Sequence, residues 1–540
     1  MEKIVRTRTA FGFLVFASSA TLLSGCLETS STCEERLRAC GNSGAAGTAA
    51  GGASGSDSGA AGRSGAGGDP GDGGSPNGGR AGTSGGTGDS GAAGQGGTPC
   101  DTTKSPSEET CLVSNDHAIF VAPTGKDGAS GSKAGPVKTM AKAIELAGAE
   151  KIVIACNGTY DEQLAISAGT KLYGGFSCPG SATPWSYEAG TKAKVAPSTK
   201  GIALSITAGA AAVAIEDFEF DAKDGVGPSE SSIAAFVNAS TEVALTRVKL
   251  VAGKGADGAN GTLTKVTKFP TQLELNGHAA AGNTGGDLNA QTCVASGSTT
   301  GASGGNGGTG ALTSGGTGAP DLGMGKGGVA GSCSPNGTGQ DGANAPPTPP
   351  ALGAAKLGTI TLAGWIGVAG SDGTPGGPGQ GGGGGAGSAT SGGGGGGGAG
   401  GCGGAGGTGG KAGGSSIALL LLNSSPVLTA SELVAANAGR GGAGVAGQDA
   451  QPEFGNAGPF AGGGCGGGKG GLGASGGAGG GAAGGISVGI AYQVMQDMTL
   501  EMPDSATTII TGLAGAAGIG GVPGTNDGIA GVKQDVLQMP

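Results

Sequence analysis

SSIALLLLNSSPVLTASELVAANAGRGGAG, residues 415–444, lies in a chain otherwise crowded with glycine. Leu419, Leu420, Leu421 and Leu422 form a strand-like apolar run, a short polar turn follows, and alternating apolar positions then dissolve into Gly-Ala repeats. The same order recurs in SSIAAFVNASTEVALTRVKLVAGKGADG from Ser231 and in GISVGIAYQVMQDMTLEMPDSATTIITGLAGAAG from Gly485. KLGTITLAGWIGVAGSDG, from Lys356, reads as a partial fourth copy. None of these segments can bury its apolar face alone, so they read as rungs of one solenoid. Stacking in parallel predicts an inward ladder: Ile233, Phe236 and Val243 beside Ile417, Leu419 and Val427, then Ile486, Val488 and Ile490. Parallel strands covered on both faces suit a run as apolar as four leucines.

The Gly-rich blocks then become insertions between rungs, at about 253–355, 371–414, 437–484 and 513–533, each departing after an LVA-type segment. They are either disordered loops or extended polyproline-II-like strands, whose backbones only glycine lets approach closely. GGTGGKAGG and GGGCGGGKGG lack a strict three-residue period, which favours disorder or partial order. In composition the blocks resemble the PGRS-type Gly-rich repeats, without the PE segment that accompanies those.

Composition agrees with a chain of thin and thick parts. Of 540 residues 131 are glycine, aromatics are 3% and charged residues 13%, so the Gly-rich parts cannot build an ordinary core. A net charge of −10, with no Lys/Arg cluster beyond the N-terminus, argues against nucleic acid as a partner.

The N-terminus reads as an export signal over residues 1–25. Lys3, Arg6 and Arg8 precede an apolar run from Ala10 to Leu23 that is too short for a comfortable membrane span. Leu23-Ser24-Gly25-Cys26 resembles the bacterial lipobox, which implies lipidation of Cys26 and a membrane partner through that anchor. Leu27 follows with no Asp, so the resemblance implies the outer membrane. Residues 26–99 are Gly, Ser, Ala, Asp and Thr over most of their length and read as a flexible tether, its Gly-rich part spanning about 40 Å as a random coil.

Setting Cys26 aside leaves ten cysteines in neighbouring couples: Cys33 with Cys40, Cys100 with Cys111, Cys156 with Cys178, Cys293 with Cys333, and Cys402 with Cys465. An oxidising compartment favours disulfides, with the connectivity open and in-order pairing as the simplest expectation. A zinc site finds little support, because no CxxC occurs and the two histidines, His117 and His278, are far apart in sequence.

Residues 100–252 carry the first ordered part, and 253–540 the further rungs with their insertions. AIFVAPTG reads as a strand and turn, and Pro136 opens an amphipathic helix with Val137, Met140, Ala141, Ile144 and Ala147 on one face. IVIA, QLAIS and KLYGGF follow as short strands from Ile152, Gln163 and Lys171. A helix ahead of closely spaced strands is the opening of a capped solenoid. The residues Phe120-Val121-Ala122-Pro123-Thr124-Gly125, Gly135-Pro136-Val137-Lys138-Thr139 and Gly158-Thr159-Tyr160-Asp161-Glu162 resemble the opening of the pectate-lyase-like right-handed parallel β-helix family, over about 118–220. The resemblance implies an all-β fold: a right-handed parallel β-helix solenoid with an N-terminal capping helix and long Gly-rich loop insertions.

Chemistry is sparse. In AIEDFEFDAKDG, Asp217, Glu219 and Asp221 alternate with Phe218 and Phe220, so three carboxylates could share one face and hold Ca2+. The competing and favoured reading is a solvated outer face. Lys223 and Arg247 are the nearest basic residues, without a lyase-type motif around them, and no hydrolase-type aspartate pair occurs. None of the family's catalytic residues therefore has a matching position. The expectation is a surface-exposed outer-membrane lipoprotein with a structural, adhesive or carbohydrate-binding role, whose partner would be a cell-surface or matrix polysaccharide. The alternative is a divergent extracellular polysaccharide lyase or hydrolase. A surface- or ice-binding role would call for regular Thr ladders, which the sequence lacks.

Overall fold

The computed structural model describes residues 100–178, 184–308, 310–495 and 498–540. The export signal, the lipidation candidate Cys26, the tether, and the expected couple of Cys33 and Cys40 lie outside the described residues. The fold is a parallel β-helix solenoid of three sheets.

Strand β1 (Ala118–Val121) starts the stack, and helix α1 (Met140–Ala147) follows. The first full rung is β2 (Ile152–Cys156), β3 (Gly158–Tyr160) and β4 (Leu164–Ile166). The second is β5 (Thr170–Ser177), a side strand β6 (Ser186–Tyr187), β7 (Ala193–Val195) and β8 (Leu204–Ile206). The third is β9 (Val213–Glu216), β10 (Phe218–Asp221) and β11 (Ser232–Asn238). The fourth begins with β12 (Val243–Thr246) and β13 (Lys249–Ala252). It is then interrupted by two hairpins, β14 (Asn289–Cys293) with β15 (Gly297–Gly301) and β16 (Gly358–Thr361) with β17 (Gly364–Gly367), before closing with β18 (Ser416–Leu422). The fifth is β19 (Val427–Thr429), β20 (Glu432–Ala435) and β21 (Ser487–Gln493), and the last contributes β22 (Thr508–Thr511) and β23 (Lys533–Gln538). Sheet A stacks β1, β2, β5, β9, β12 and β19; sheet B stacks β3, β7, β10, β13, β20 and β22; sheet C stacks β4, β8, β11, β18, β21 and β23.

The capping helix starts later than the pattern of apolar residues predicts. Val137 is drawn into a parallel bridge with Val121, so α1 begins at Met140, and Ala141 faces outward while Met140, Ala143 and Ala147 are buried. Its first turn is held from two sides. Asp127 accepts the amides of Lys138 and Thr139 at 2.9 Å, and Glu162 accepts the Met140 amide at 2.7 Å.

The register answers why residues 415–444 are so apolar. Ser232, Ser416 and Ser487 stack; so do Ile233, Ile417 and Val488, and Phe236, Leu420 and Ala491. The predicted ladder mixed two faces. Leu419 and Leu421 point into the solenoid lumen with Val237, Leu245 and Ile490. Ile233, Phe236, Ile417, Leu420 and Val488 point outward, into a second core built with Ile360, Trp365 and Ile486. The segment expected as a fourth rung is therefore the antiparallel hairpin β16–β17, laid over the outer face of sheet C. Val427 is a further correction: it is 42% exposed, and Leu428 beside Leu245 takes the inward place. With a period of two, a one-residue slip moves a side chain to the other face.

Each of the last three rungs departs at the same corner, between sheets B and C, after Ala252, Ala435 and Thr511. A serine at the start of the C strand clamps every departure: Ser232 Oγ accepts the Gly253 amide, Ser416 Oγ that of Ala436, and Ser487 Oγ that of Gly512, at 2.8–2.9 Å.

The insertions are ordered, against the lean of the sequence toward disorder. Amides of Gly370, Gly373, Gly376, Gly379, Gly382 and Gly385 donate to the carbonyls of Gly410, Gly407, Gly404, Gly401, Gly398 and Gly395, at 2.8–3.0 Å. One bond every third residue in an antiparallel pair is the repeat of a polyproline-II helix, with three residues per turn, and not of a β ladder. Gly401, Gly404, Gly407 and Gly410 in turn donate to residues 471, 474, 477 and 480 of a parallel neighbour. Segment 464–485 sits at the centre, bonded to segments 337–354, 368–386, 395–414, 439–458, 513–521 and 526–532. Outer segments need glycine only where they face inward, and so keep a period of three, as in Gly512, Gly515, Gly518 and Gly521. A central segment has more neighbours and keeps larger residues only on its outward edge, where Lys469, Leu472 and Ser475 recur every third residue among the glycines. A Cβ on Gly376 would lie 1.9 Å from the Ala474 carbonyl oxygen, an impossible contact.

Candidate functional site

Outward positions of sheet B align in one row across the rungs: Thr159, Lys194, Glu219, Lys249, Glu432 and Thr508. Strands stack about 4.8 Å apart, so this row is a ladder of alternating charge. Lys194 Nζ lies 2.8 Å from Glu219 Oε1 and 2.6 Å from Asp221 Oδ2, and Lys249 Nζ lies 3.2 Å from Glu432 Oε2. Hydrogen bonds to Asp221 and Glu219 raise the Lys194 ammonium above its ordinary range. These pairs are part-exposed and individually worth about 0–1 kcal/mol. Beside the ladder runs a shallow groove of about 460 Å³ between Gly158, Gly190, Lys192 and Lys249.

The corner joining sheets A and B supplies the second half of the site. Asp217, Arg247 and Ala430 stack there with φ of 57°, 53° and 47°. A left-handed residue other than glycine costs about 1–2 kcal/mol, and here hydrogen bonds oppose that cost. The Asp217 amide donates to Thr246 and the Arg247 amide to Thr429. Arg247 Nε and Nη2 grip the two carboxylate oxygens of buried Asp217 at 2.9 Å, and Nη2 also reaches Glu216 at 2.9 Å. Tyr187 donates its hydroxyl to Asp217 at 3.1 Å. Burial pushes the Glu216 carboxyl up, with Arg247 opposing, and hydrogen bonding to Asp217 pushes the guanidinium up. Lys192 donates to the Arg247 carbonyl, and its half-buried ammonium is pushed down by desolvation.

This geometry separates the three carboxylates expected to share a face. Asp217 turns into the corner and is spent on Arg247 and Tyr187, whereas Glu219 and Asp221 face outward and share Lys194. The alternation with Phe218 and Phe220 holds only from Glu219 onward, because Asp217 is a left-handed corner residue and not part of the strand. The three do not assemble as a cation site. Among the described residues the one grouping of three metal-ligating side chains is Cys100, Glu109 and Cys111, whose two sulfurs are joined to each other. Lys223 lies away from this corner, with its ammonium on the Ser198 carbonyl.

Disulfides join Cys100 to Cys111 and Cys156 to Cys178, as in-order pairing expects. The pairing of Cys33 with Cys40 falls outside the described residues. In the insertions the in-order pairing fails: Cys293 is bonded to Cys402, and Cys333 to Cys465, with Cα separations of 5.3 and 5.2 Å. Folding of the bundle carries chain neighbours apart. Hairpin β14–β15 sets Cys293 against the middle of segment 395–414, and the turn at Cys333 meets the start of segment 464–485.

Sequence reasoning missed a set of side chains that build the bundle surface. Asp257 and Asn260 accept the amides of Arg440 and Ala443, and Asp341 and Asn344 those of Lys469 and Leu472, at 2.7–2.9 Å. The signal was the repeated Asp-Gly-Ala-Asn at 257–260 and 341–344, two acceptors one polyproline-II turn apart.

A family model described as a protein of unknown function (DUF1565), a family associated with parallel β-helix proteins, matches residues 123–246. No curated protein matches the chain, and no solved structure does. No helix among the described residues is long and apolar enough to cross a membrane.

Proposed function

We propose that this chain is an exported lipoprotein, anchored through Cys26 in the outer membrane and facing the cell exterior, whose body is a structural or adhesive element that contacts surface or matrix polysaccharide. The observation that carries this reading is the folding of the Gly-rich insertions into one hydrogen-bonded bundle beside the solenoid. Such a body presents a broad rigid surface at little cost in side chains. The lipobox-like Leu23-Ser24-Gly25-Cys26 supports the anchor, and the disulfides support an oxidising compartment. The PGRS-like composition of the insertions belongs to the same reading. The sheet B ladder supports binding over catalysis, because its lysines are largely neutralised by paired carboxylates.

A divergent lyase or hydrolase is the second reading, and it rests on Lys192, whose depressed ammonium lines the groove. A glycan-array assay of the full chain carrying Cys26→Ser, with and without Ca2+, decides between them. Retention of intact polymer supports the adhesive role, and release of shortened sugars overturns it. Fatty-acid labelling of the native chain that persists in Cys26→Ser would remove the anchor.

A further inference from the structure

The first rung leaves one polar atom unanswered. Asn157 holds the corner between β2 and β3, as Asp217 holds the corresponding corner between β9 and β10. Its Nδ2 donates to Thr191 Oγ1 at 2.9 Å, and Thr191 Oγ1 donates its one hydrogen to the Glu188 carbonyl at 2.7 Å. The threonine can therefore only accept from Asn157, which fixes the amide with Oδ1 turned away from it. That oxygen is buried and has no donor among the described residues. Asp217 is answered by Arg247 and Tyr187, whereas Asn157 Oδ1 still lacks the bond that a buried acceptor ordinarily makes.

Asn157 lines a cavity of about 530 Å³ walled by Pro123, Thr124, Ser177 and Glu188. Gly158 and Thr159 line both this cavity and the groove of about 460 Å³ beside the sheet B ladder, so the two form one trough. Each has the size of a ligand site, about 300–1,000 Å³. From Thr159 to Glu432 the ladder spans four strand spacings, about 19 Å, the reach of a chain and not of a single small molecule. The lining charges balance. Lys192, Lys194 and Lys249 stand against Glu188, Glu219 and Glu432, and each of these lysines already meets an oxygen of the protein. The hollow beyond Pro123 is acidic, with Asp127, Asp161 and Glu162 against Lys138. The trough thus offers no net positive charge to a polyanion, and its unmet atom is an acceptor, which calls for a hydroxyl donor.

Resting on the reading of this chain as a polysaccharide-contacting body, we propose that the trough takes an uncharged glycan, one sugar of which donates a hydroxyl to Asn157 Oδ1. The following sugars lie along Lys194, Glu219 and Lys249, whose paired side chains offer both donors and acceptors to neutral hydroxyls. A carboxylate-bearing chain would instead face Glu188 and Glu219, with Lys194 already paired.

The test is isothermal titration calorimetry on the full chain carrying Cys26→Ser. Cellohexaose, mannohexaose and xylohexaose are the neutral probes, and hexagalacturonate, with and without Ca2+, is the acidic one. Expected is binding of a neutral hexaose that changes less than twofold between about 50 and about 500 mM NaCl, because no ion pair forms. Asn157→Ala should weaken it at least tenfold. Thr191→Val, which removes the partner of Nδ2 and leaves Oδ1 in place, should weaken it less than threefold, with near-UV dichroism unchanged in both variants. Equal losses in the two variants would show that the amide serves the fold alone and overturn the proposal. Tighter binding of hexagalacturonate, or neutral binding indifferent to Asn157→Ala, also overturns it and leaves polysaccharide contact standing. Silence toward all four probes overturns it as well, and a blank glycan array would then remove polysaccharide contact too.

Discussion

Ser416 Oγ, itself fully buried, accepts the amide of Ala436, twenty residues further along the chain, at 2.8 Å. The same oxygen faces the Ala252 carbonyl of the rung below, and Ser487 repeats the arrangement between Ala436 and Gly512. These serines fix where the chain leaves the solenoid. Ser416→Ala leaves the part-buried Ala436 amide with only its longer bond to the Ala252 carbonyl, at 3.3 Å, a loss of about 0.5–1.5 kcal/mol. Urea unfolding should show that loss, and an unchanged midpoint would mean that water replaces the hydroxyl.

Gly376 and Gly377 are chain neighbours with opposite prospects. A methyl on Gly376 meets the Ala474 carbonyl at 1.9 Å, whereas one on Gly377 meets only the Ala345 methyl at 3.7 Å. Gly376→Ala should destabilise by about 1–3 kcal/mol or more through overpacking. Gly377→Ala should be neutral or stabilising by about 0.4–1 kcal/mol, because it restricts the unfolded chain. Thermal unfolding of the two variants measures the difference, and equal melting points would contradict the bundle.

Non-reducing peptide mapping should recover Cys293 with Cys402 and Cys333 with Cys465. These bonds close loops of 109 and 132 residues, each worth roughly 4–5 kcal/mol in the chain-entropy account. Reduction should therefore raise hydrogen exchange in segments 370–414 and 464–485 before it does so in sheet A. Uniform exchange after reduction would show that the disulfides are dispensable to the bundle.

Glu162 sets a pH dependence on the helix cap. Burial raises its carboxyl above the ordinary value of 4.5, opposed by the amides of Met140 and Ala141. A carboxyl with a raised folded pKa favours folding when protonated, so its unfavourable contribution is absent below 4.5 and grows as pH climbs through the folded value. Glu162→Gln should gain stability relative to the parent between pH 4 and pH 7, as read by urea midpoints. A constant difference across that range would show that the amide bonds cancel the burial.

The rungs were legible because their apolar residues recur with the same turn and departure in three places, and the stacking of Ile233 with Ile417 follows from aligning those stretches alone. Which face each residue takes was not legible. Leu419 and Leu420 are equally apolar, and sequence carries no mark that Trp365, from an insertion, covers one of them. The order of the insertions was hidden for a related reason. A three-residue period is visible in 512–521, whereas in 464–485 the period carried by Lys469, Leu472, Ser475 and Ala478 is diluted by glycine at most of the positions between them. The corner Asp217 was misplaced because a left-handed residue breaks strand alternation without any glycine or proline to announce it.

The common exit corner of the last three rungs ties two lattices of different kind to one ruler. Segments 255–261, 437–444 and 513–519 follow one another along the stack as their parent rungs do, so the pitch of the β ladder is also the spacing of the polyproline-II layer. Lengthening the molecule by one storey would require a rung and a matching glycine triplet tract together. Shortening a tract would preserve phase only in steps of three residues.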